Sequence, residues 1–355
     1  MSGTATDYEP FARAALPRYG LENARLSLLS FSENATYLAE LNDERVVMRV
    51  HRPDYNGPAE VESELAWMES VRMTSSIRTP ELRRARDGSS VIAVILGDEE
   101  RLVDVFEFIP GISAEDEESG ISFRELGAIT AALHHHVQSW VPPARFVRFR
   151  WDLDSMIGNA ARWGDWRDAP NLTASDREVI EAAERVIRER IDRFGTSPDR
   201  FGLVHSDLRM SNLIVHEGEI IVIDFDDCGW SWFLTDLAAV TTWNEATPGA
   251  HSTIEEWLRG YLSVGQLDDA AIAEIPTFIM LRRLTVTAWL GTHPESEPAQ
   301  TLASHFASET ASLARRYLDD PTWFAFDIHA LRSEDGQPHP VPAGAVAPVQ
   351  MPPCA

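Results

Sequence analysis

The first hundred residues alternate between apolar and polar positions in the short period that is typical of β-strands. Strand-like runs, separated by turn residues, cover residues 24–29, 37–41, 45–50, 91–96 and 101–109. Segments 8–19 and 58–73 instead repeat apolar residues at spacings of three and four, which predicts two helices. The pattern therefore predicts a small mixed lobe in which a helix follows the third strand.

Beyond Pro110-Gly111, where we place a hinge between two lobes, the pattern becomes mostly helical. Helices are predicted at about 122–139, 152–163, 174–193, 251–263, 268–291 and 298–317. Apolar residues 213–215 and 220–223 flank a turn at Glu217-Gly218, which predicts a hairpin. The tail from Ser333 is rich in Pro, Gly and Ala and is predicted to be disordered. These boundaries predict three segments, 1–109, 110–330 and 331–355.

The segments on either side of this hairpin carry the residue types of phosphoryl transfer. Residues 205–212 read His-Ser-Asp-Leu-Arg-Met-Ser-Asn, which matches the kinase catalytic loop His-x-Asp-x-x-x-x-Asn. Phosphoryl transfer requires a carboxylate that accepts the proton of the attacking hydroxyl, and oxygen ligands that hold magnesium against the phosphates. Asp207 is therefore the candidate base, and Asn212 and Asp224 are the candidate metal ligands. A buried hairpin capped by aspartates would not account for Asn212 and Asp224 together.

All 31 basic residues are arginine, because the chain contains no lysine. Kinases use a strand lysine to hold the nucleotide phosphates, so here an arginine must replace it. Arg49 interrupts the apolar third strand, where its charge needs water, an anion or a carboxylate. Glu64 lies beside the apolar stripe of the following helix and is the candidate ion partner. The alternative for Glu64 is a solvated helix face.

The composition excludes some functional classes. The formal net charge of −25 argues against nucleic acid as a partner and is compatible with a cationic small substrate, although it also serves solubility. Cys228 and Cys354 are the only cysteines and form no metal-ligand pattern. Consecutive helical residues point about 100° apart, so the three histidines 134–136 do not converge on one metal ion. Without an apolar run of about 20 residues or a signal peptide, we expect a cytoplasmic protein that does not cross a membrane.

Taken together, these elements resemble the superfamily of aminoglycoside phosphotransferases and choline kinases over about residues 20–320. The resemblance rests on His205–Asn212, Ile223–Asp227 and Thr235–Ala238. Within the superfamily, the chain is most similar to the branch that contains type II homoserine kinases and bacterial stress-response Ser/Thr kinases. Three further segments carry that similarity, Phe31–Tyr37, Val47–Pro53 and Arg282–Leu290.

The resemblance implies an α+β, bilobal protein-kinase-like fold, with a small N-terminal antiparallel-sheet lobe and a larger, mainly helical C-terminal lobe. It also implies transfer of the γ-phosphate of ATP, with Mg²⁺, to a hydroxyl of a small molecule. An amino alcohol, an aminoglycoside and another antibiotic are all compatible acceptors. No nucleic acid or membrane partner is implied.

The same resemblance implies roles for individual residues. Those expected at the nucleotide are Ser32 and Asn34 in the loop over the phosphates, Arg49 with Glu64, and Glu107 and Ile109 near adenine. Those expected to support the chemistry are His205 as a structural residue, Asp236 as a brace of the catalytic loop, and Asp226 or Asp227 at the metal or substrate.

Two features leave other functions open. The loop over the phosphates contains no glycine, which, with the missing lysine, is compatible with a nucleotide-binding pseudokinase scaffold. Only 12 positions separate Asp224 from Asp236, which leaves no room for a long activation segment and favours a small acceptor. The stress-response Ser/Thr kinases share that short segment, so a protein substrate stays an alternative. Neither the acceptor nor the oligomeric state follows from the sequence.

Overall fold

A five-stranded antiparallel sheet forms the first part of the computed structural model, which describes residues 5–31, 33–320, 322–328 and 331. In spatial order its strands are β1 (Arg25–Phe31), β2 (Ala35–Leu41), β3 (Glu44–Val50), β5 (Glu99–Glu107) and β4 (Ile92–Leu96). Two helices accompany the sheet, α1 (Ala5–Tyr19) and α2 (Pro58–Thr74). The predicted disordered tail lies outside the described residues, as does Ser32.

The two faces of this sheet have different neighbours, because successive side chains of a strand point to opposite sides. Val46, Met48 and Val50 of β3 pack in one apolar cluster with helix α1. Arg49 points to the other side, where it pairs across the sheet with Asp104 of β5. The sheet thus presents a buried charged pair on the face that looks towards α2.

The rest of the chain is mainly helical. Its helices are α3 (Phe123–Ser139), α4 (Leu153–Ile157), α5 (Ala174–Phe194), α6 (Leu234–Val240), α7 (Ala250–Val264), α8 (Asp269–Thr292), α9 (Glu297–Leu302) and α10 (Phe306–Asp319). Its strands are β6 (Ile112–Ser113), β7 (Phe201–Val204), β8 (Leu213–His216), β9 (Glu219–Val222) and β10 (Gly229–Trp232). Strands β6, β8 and β9 form one small sheet, and β7 pairs with β10. The expected α+β class, with a sheet lobe and a helical lobe, is confirmed.

The main apolar core crosses from one lobe to the other. Val61 and Leu65 of α2 and Phe106 of β5 belong to the same buried cluster as helix α8. Helix α8 is buried around most of its circumference, including its two adjacent arginines. None of the described helices is both long enough and apolar enough to cross a membrane. The boundary at residues 109 and 110 stays a prediction.

Two predicted helices differ from the structure. The helix expected at 152–163 ends at Ile157, because Gly158 adopts an extended conformation. A side chain at position 158 would not fit, since its Cβ would lie 2.5 Å from the Asp154 carboxylate. The helix expected at 298–317 is divided into α9 and α10, although no proline or glycine marks the break. Strands β6 and β10 were not predicted. They have only two and four residues and depend on partners distant in sequence.

Helices α3 and α7 cross with their backbones in direct contact, which a glycine on each helix permits. A Cβ on Gly127 would lie 2.0 Å from the Trp257 carbonyl oxygen, and one on Gly260 would lie 1.8 Å from the Arg124 carbonyl oxygen. Real Cβ atoms do not approach oxygen so closely, so any side chain at either position must push the helices apart.

We expect Gly260→Ala to lower the free energy of unfolding by about 1–3 kcal/mol, as other overpacked core substitutions do. Chemical denaturation of both proteins measures the difference. Gly249→Ala, just before α7, is the matched control, because its Cβ would meet only the Thr247 hydroxyl at 3.9 Å. Equal stability of the two variants would contradict the close crossing.

Candidate active site

The catalytic loop and the loop after the hairpin each hold a non-glycine residue in left-handed backbone conformation. Ser206 has a φ of 71° and Asp224 a φ of 62°. Such conformations cost about 1–3 kcal/mol and persist where the surroundings hold them. Buried Asp236 holds the first, since its carboxylate accepts hydrogen bonds from the backbone N–H of Ser206 at 2.6 Å and of His205 at 3.2 Å.

Asp236 is itself held by a contact with His134, a residue for which the sequence predicted no function. His134 of α3 contacts the Asp236 carboxylate through Nε2 at 3.0 Å, and its Nδ1 lies 3.0 Å from the Tyr261 hydroxyl of α7. The crossing of α3 and α7 thus aligns the support beneath the catalytic loop. The His triplet drew attention as a metal motif, and among the described residues no group of three or more His, Cys, Asp or Glu side chains suits a metal ion.

His205 connects the catalytic loop to the loop that carries Asp224. Its ring is buried against Phe225, and its Nε2 lies 3.1 Å from the carbonyl oxygen of Ile223. Burial lowers the pKa of His205, which favours the neutral ring with the proton on Nε2. His205 therefore lies where it can hold the two loops together, and it does not face the cleft as a titrating group.

Three nitrogen donors surround the carboxylate of Asp207. Arg282 Nη2 lies 2.7 Å from Oδ1, while Arg209 Nη2 at 3.1 Å and Asn212 Nδ2 at 3.2 Å both contact Oδ2. Burial alone would raise the pKa of Asp207, but Arg209 and Arg282 outweigh it and hold that pKa below its ordinary value. Asp207 is therefore ionised at neutral pH, as an acceptor of a hydroxyl proton must be.

The oxygens of Asn212 and Asp224 are suited to a magnesium ion. The Asn212 amide nitrogen donates to the Asp207 carbonyl at 2.7 Å, which leaves the amide oxygen without a donor among the described residues. Carboxylate and amide oxygens are hard ligands, and Mg²⁺ in kinases takes one or two of them together with phosphate oxygens and water. Any metal held here would complete its shell in that way.

The surroundings of Asp224 disfavour its negative charge, because more carboxylates than cations lie near it. Its side chain is exposed to solvent, and other carboxylates lie near it. Desolvation and the nearby Asp226 carboxylate raise the pKa of Asp224 to about 7, against the partial opposition of Arg49. A divalent cation at this point would offset the repulsion.

Arg49 lies between two buried carboxylates. Its Nε and Nη2 bond to the two Asp104 oxygens at 3.1 and 2.6 Å, and Nη2 also lies 2.8 Å from Glu64 Oε1. Nη1 has no hydrogen-bond partner among the described residues, so it is free to donate to a ligand. Asp104 was not predicted. Its signal was a charged residue within an apolar strand, the same signal that identified Arg49.

The loop between β1 and β2 is tied to the helical lobe. Glu33 accepts a hydrogen bond from Trp289 Nε1 at 2.9 Å and forms an ion pair with Arg52 at 2.6 Å. The Asn34 side chain accepts a bond from the backbone N–H of Arg52 at 2.9 Å. Ser32, the third residue expected in this loop, lies outside the described residues.

Asp226 and Asp227 occupy different surroundings. Asp226 is buried and accepts a hydrogen bond from Asn56 Nδ2 at 3.0 Å, with Arg52 Nη2 at 3.5 Å. Asp227 accepts a bond from the Tyr55 hydroxyl at 2.5 Å. Burial and the charge of Glu33 raise the pKa of Asp227. Both aspartates thus connect the strand-to-helix loop of the first lobe to the second lobe.

Glu107 and Ile109 lie where the sheet lobe passes into the helical lobe. The Glu107 N–H already donates to the Glu81 carbonyl at 2.9 Å, and its side chain accepts from the Glu81 N–H at 2.9 Å. The N–H of Ile109 has no partner among the described residues. Ile109 is therefore the better placed of the two to donate to a nucleotide base.

A cavity of about 450 Å³ adjoins the catalytic loop. Arg209 and Met210 form the side nearest to Asp207, and Trp243 forms an aromatic wall. Carboxylates of the acidic run that begins at Glu115 line another side. The sequence alone does not connect this run with the site, because the run meets the catalytic loop only through tertiary packing.

The arrangement of a loop aspartate, an asparagine five residues later and a further aspartate after a hairpin is that of a phosphotransferase, and family comparison gives the same result. A model of the phosphotransferase enzyme family matches residues 27–274. The chain belongs to this family. It is accordingly a kinase that transfers a phosphoryl group to a hydroxyl of a small molecule.

Several individual proteins are similar to this chain over most of its length. A solved microcompartment-associated aminopropanol kinase is 39% identical and superimposes with a TM-score of 0.82 over 88% of this chain and 98% of its own. Amicoumacin kinase of Bacillus subtilis (strain 168) is 23% identical over 284 residues, which are 77% of this chain and 81% of that protein. An amicoumacin kinase solved with AMP-PNP, Ca²⁺ and its ligand is 23% identical, with a TM-score of 0.67 over 86% of this chain and 91% of its own.

We expect Arg49→Lys to raise the KM for the nucleotide about tenfold, the effect of losing one charge-assisted hydrogen bond. Lysine is a point charge and cannot pair with both oxygens of Asp104 while it also reaches a phosphate. Steady-state kinetics with varied nucleotide measure the change. Arg25→Lys is the control, since Arg25 is an exposed arginine of the same sheet. An unchanged KM in Arg49→Lys would remove its phosphate role.

We expect Asp224→Asn to stabilise the metal-free protein at pH 8, by less than the full pKa shift would give because Asp224 is exposed to solvent. The unfolded carboxyl has a pKa of about 3.9, whereas the folded pKa is about 7. Between these two pKa values the folded state holds the proton and the unfolded state does not. The free energy of unfolding therefore falls as the pH rises through this range, and the loss is complete above pH 7. The difference between variant and wild type should therefore grow from pH 5 to pH 8.

Differential scanning fluorimetry across this pH range measures the effect, with Asp98→Asn in the exposed β4–β5 turn as the control. Added Mg²⁺ should stabilise the wild type and leave Asp224→Asn unchanged. A variant that is less stable than the wild type at pH 8 would show that Asp224 carries no such penalty.

Proposed function

We propose that this kinase uses ATP and Mg²⁺ to phosphorylate the hydroxyl of a small amino alcohol. The observation that carries the proposal is the ionised Asp207 beside Asn212, whose other partner Arg209 lines a cavity together with acidic residues and Trp243. The 39% identity with a kinase described as acting on aminopropanol supports an acceptor of that size and charge.

In the proposed step, Asp207 Oδ2 receives a hydrogen bond from the acceptor hydroxyl and takes its proton as the new bond forms. The hydroxyl oxygen attacks the γ-phosphorus, and the bond from that phosphorus to the β–γ bridging oxygen breaks. The products are a phosphate ester, ADP and a proton that Asp207 releases to solvent. Asn212 and Asp224 would hold Mg²⁺, which, when bound, neutralises the phosphate charge.

The low pKa of Asp207 is compatible with this step. Phosphoryl transfer passes through a loose transition state in which little negative charge builds up on the attacking oxygen early on. A carboxylate that orients the hydroxyl and accepts its proton late is therefore sufficient. Arg209 and Arg282, which depress the pKa, need not be removed for catalysis.

Charge supports a cationic acceptor. The residues that line the cavity include three acidic side chains, Glu115, Asp116 and Glu117, and one basic side chain, Arg209. An ammonium group there would lie in a negative field, and the Trp243 ring adds a surface suited to cations. The formal net charge of −25 acts in the same direction at long range.

We expect 1-amino-2-propanol and ethanolamine to be phosphorylated with a kcat/KM at least about tenfold above that for 1,2-propanediol, the value of one favourable charge contact of 1.4 kcal/mol. The diol keeps the hydroxyl and lacks the ammonium, so it isolates the contribution of charge. Choline, homoserine, an aminoglycoside and amicoumacin complete the panel. Mass spectrometry detects the gain of one phosphate.

Asp207→Asn is the control for the chemistry and should lower kcat by about 10²–10⁴-fold, the usual range for a general base. Its affinity for ATP should stay close to that of the wild type. Equal turnover of variant and wild type would refute the assignment of the base. Phosphorylation of proteins alone would favour the Ser/Thr kinase alternative, and ATP binding without any turnover would favour a scaffold.

A further inference from the structure

Two adjacent arginines lie in the middle of the buried helix α8. Arg282 is 5% exposed and Arg283 is fully buried. A buried guanidinium requires acceptors for its five N–H groups. Because adjacent helical residues point about 100° apart, the two side chains find their acceptors in different parts of the protein.

Arg283 serves the packing of helices and stays away from the catalytic loop. Its Nη1 lies 2.8 Å from Glu245, its Nε donates to the Thr310 hydroxyl at 2.8 Å, and its Nη2 donates to the Phe306 carbonyl at 3.2 Å. The guanidinium also lies 3.4 Å from the centre of the Phe306 ring. These contacts tie α8 to α10 and to the segment before α7.

Arg282 contacts the catalytic loop at two points. Its Nη2 bonds to Asp207 Oδ1 at 2.7 Å, and its Nη1 donates to the carbonyl oxygen of Ser206 at 3.1 Å. Its Nε donates to the Thr242 hydroxyl at 3.2 Å, and Trp163 lies beneath the guanidinium at 5.2 Å. The planar guanidinium is thus fixed by three acceptors and one ring. It contacts both Ser206, which has the left-handed backbone, and Asp207, the candidate base.

The two oxygens of Asp207 are consequently unequal. Oδ1 faces Arg282, which is buried and has its three kinds of nitrogen engaged. Oδ2 faces Asn212 and Arg209, and the Arg209 side chain is 28% exposed. Arg209 also lines the cavity beside the loop, so a ligand that enters the cavity meets Arg209, the residue that contacts Oδ2.

We propose that Arg282 is a positioning residue that fixes the carboxylate of Asp207, so that Oδ2 is the oxygen presented to the acceptor hydroxyl. The proposal rests on the function proposed above and specifies how its base is held. When the acceptor binds, its hydroxyl takes the place of the Arg209 contact at Oδ2, while the Arg282 contact at Oδ1 is retained.

The physical reason is rotational freedom. An aspartate held only at Oδ2 can rotate about its side-chain bonds once the acceptor displaces Arg209. A donor fork anchored on both Oδ1 and the backbone of the preceding residue removes that freedom. Misplacement of a catalytic group by about 1 Å costs about 10²-fold in rate.

The test compares Arg282→Lys with Arg283→Lys in the full chain. For Arg282→Lys we expect kcat on 1-amino-2-propanol to fall about 10²-fold, with the KM values for ATP and acceptor within about threefold, a range of roughly 0.7 kcal/mol. For Arg283→Lys we expect a lower Tm and an unchanged kcat at a temperature where the variant is folded. A fall in kcat that merely follows the folded fraction in both variants would overturn the proposal.

Chemical rescue supplies a readout that a purely structural role would not move. Guanidinium ion at millimolar concentration should restore part of the kcat of Arg282→Ala, because it can occupy the vacated space beside Asp207. It should not restore Asp207→Asn. Absence of rescue in a folded Arg282→Ala, or a raised KM with an unchanged kcat, would contradict the positioning role.

The same variants separate this proposal from the proposed function. If the wild type phosphorylates an amino alcohol and Arg282→Lys does so equally well, only the positioning role fails. If the wild type phosphorylates no amino alcohol, the proposed acceptor fails, and metal-dependent hydrolysis of ATP by water becomes the assay. Hydrolysis should then fall in Arg282→Lys and be retained in Arg283→Lys, and equal hydrolysis in all three proteins would refute the role of Arg282.

Discussion

The catalytic loop depends on one buried carboxylate, that of Asp236. It holds two successive backbone N–H groups, one of which belongs to Ser206, a residue with left-handed backbone just before Asp207. His134 and Tyr261 hold Asp236 from below. Without that anchor the strained loop would relax, and Asp207 would lose its place between Arg282 and Asn212.

The sequence predicted the parts of the site that are close together along the chain. Asp207, Asn212 and Asp224 follow from spacing, because a loop and a hairpin of defined length bring them together whatever surrounds them. Arg49 was found because a charge within an apolar strand requires a partner. The same argument applies to Asp104, but nothing in either strand indicates that the two residues face each other across the sheet.

Other parts of the site depend on tertiary packing and could not be predicted locally. Arg282 reaches Asp207 from 75 residues away, and His134 reaches Asp236 from 102 residues away. Neither residue was assigned to the site from the sequence, where Arg282 stood only in a segment of the family resemblance and His134 only in the histidine triplet. The acidic run that begins at Glu115 likewise could not be assigned to the site, since the cavity that it lines exists only once Trp243 and Arg209 are in place.

The use of arginine in place of lysine changes how the charges around Arg49 are paired. The planar guanidinium of Arg49 binds both oxygens of Asp104 and still contacts Glu64, whereas a lysine at this strand position would hold a single point charge. The structure therefore contains a second buried carboxylate at this point. Asp104 and Arg49 form a matched pair, in which neither residue is suited to its surroundings without the other.

Helix α8 touches the catalytic machinery at two levels. Arg282 contacts Asp207, and Trp289, seven residues later, contacts Glu33 in the loop between β1 and β2. Seven residues make almost two turns, so both side chains leave the same face of the helix about 10 Å apart along its axis. Helix α8 thus fixes the distance between Asp207 and the loop between β1 and β2. Any opening of the lobes must break the contact between Trp289 and Glu33, whereas the contact between Arg282 and Asp207 moves with the helix.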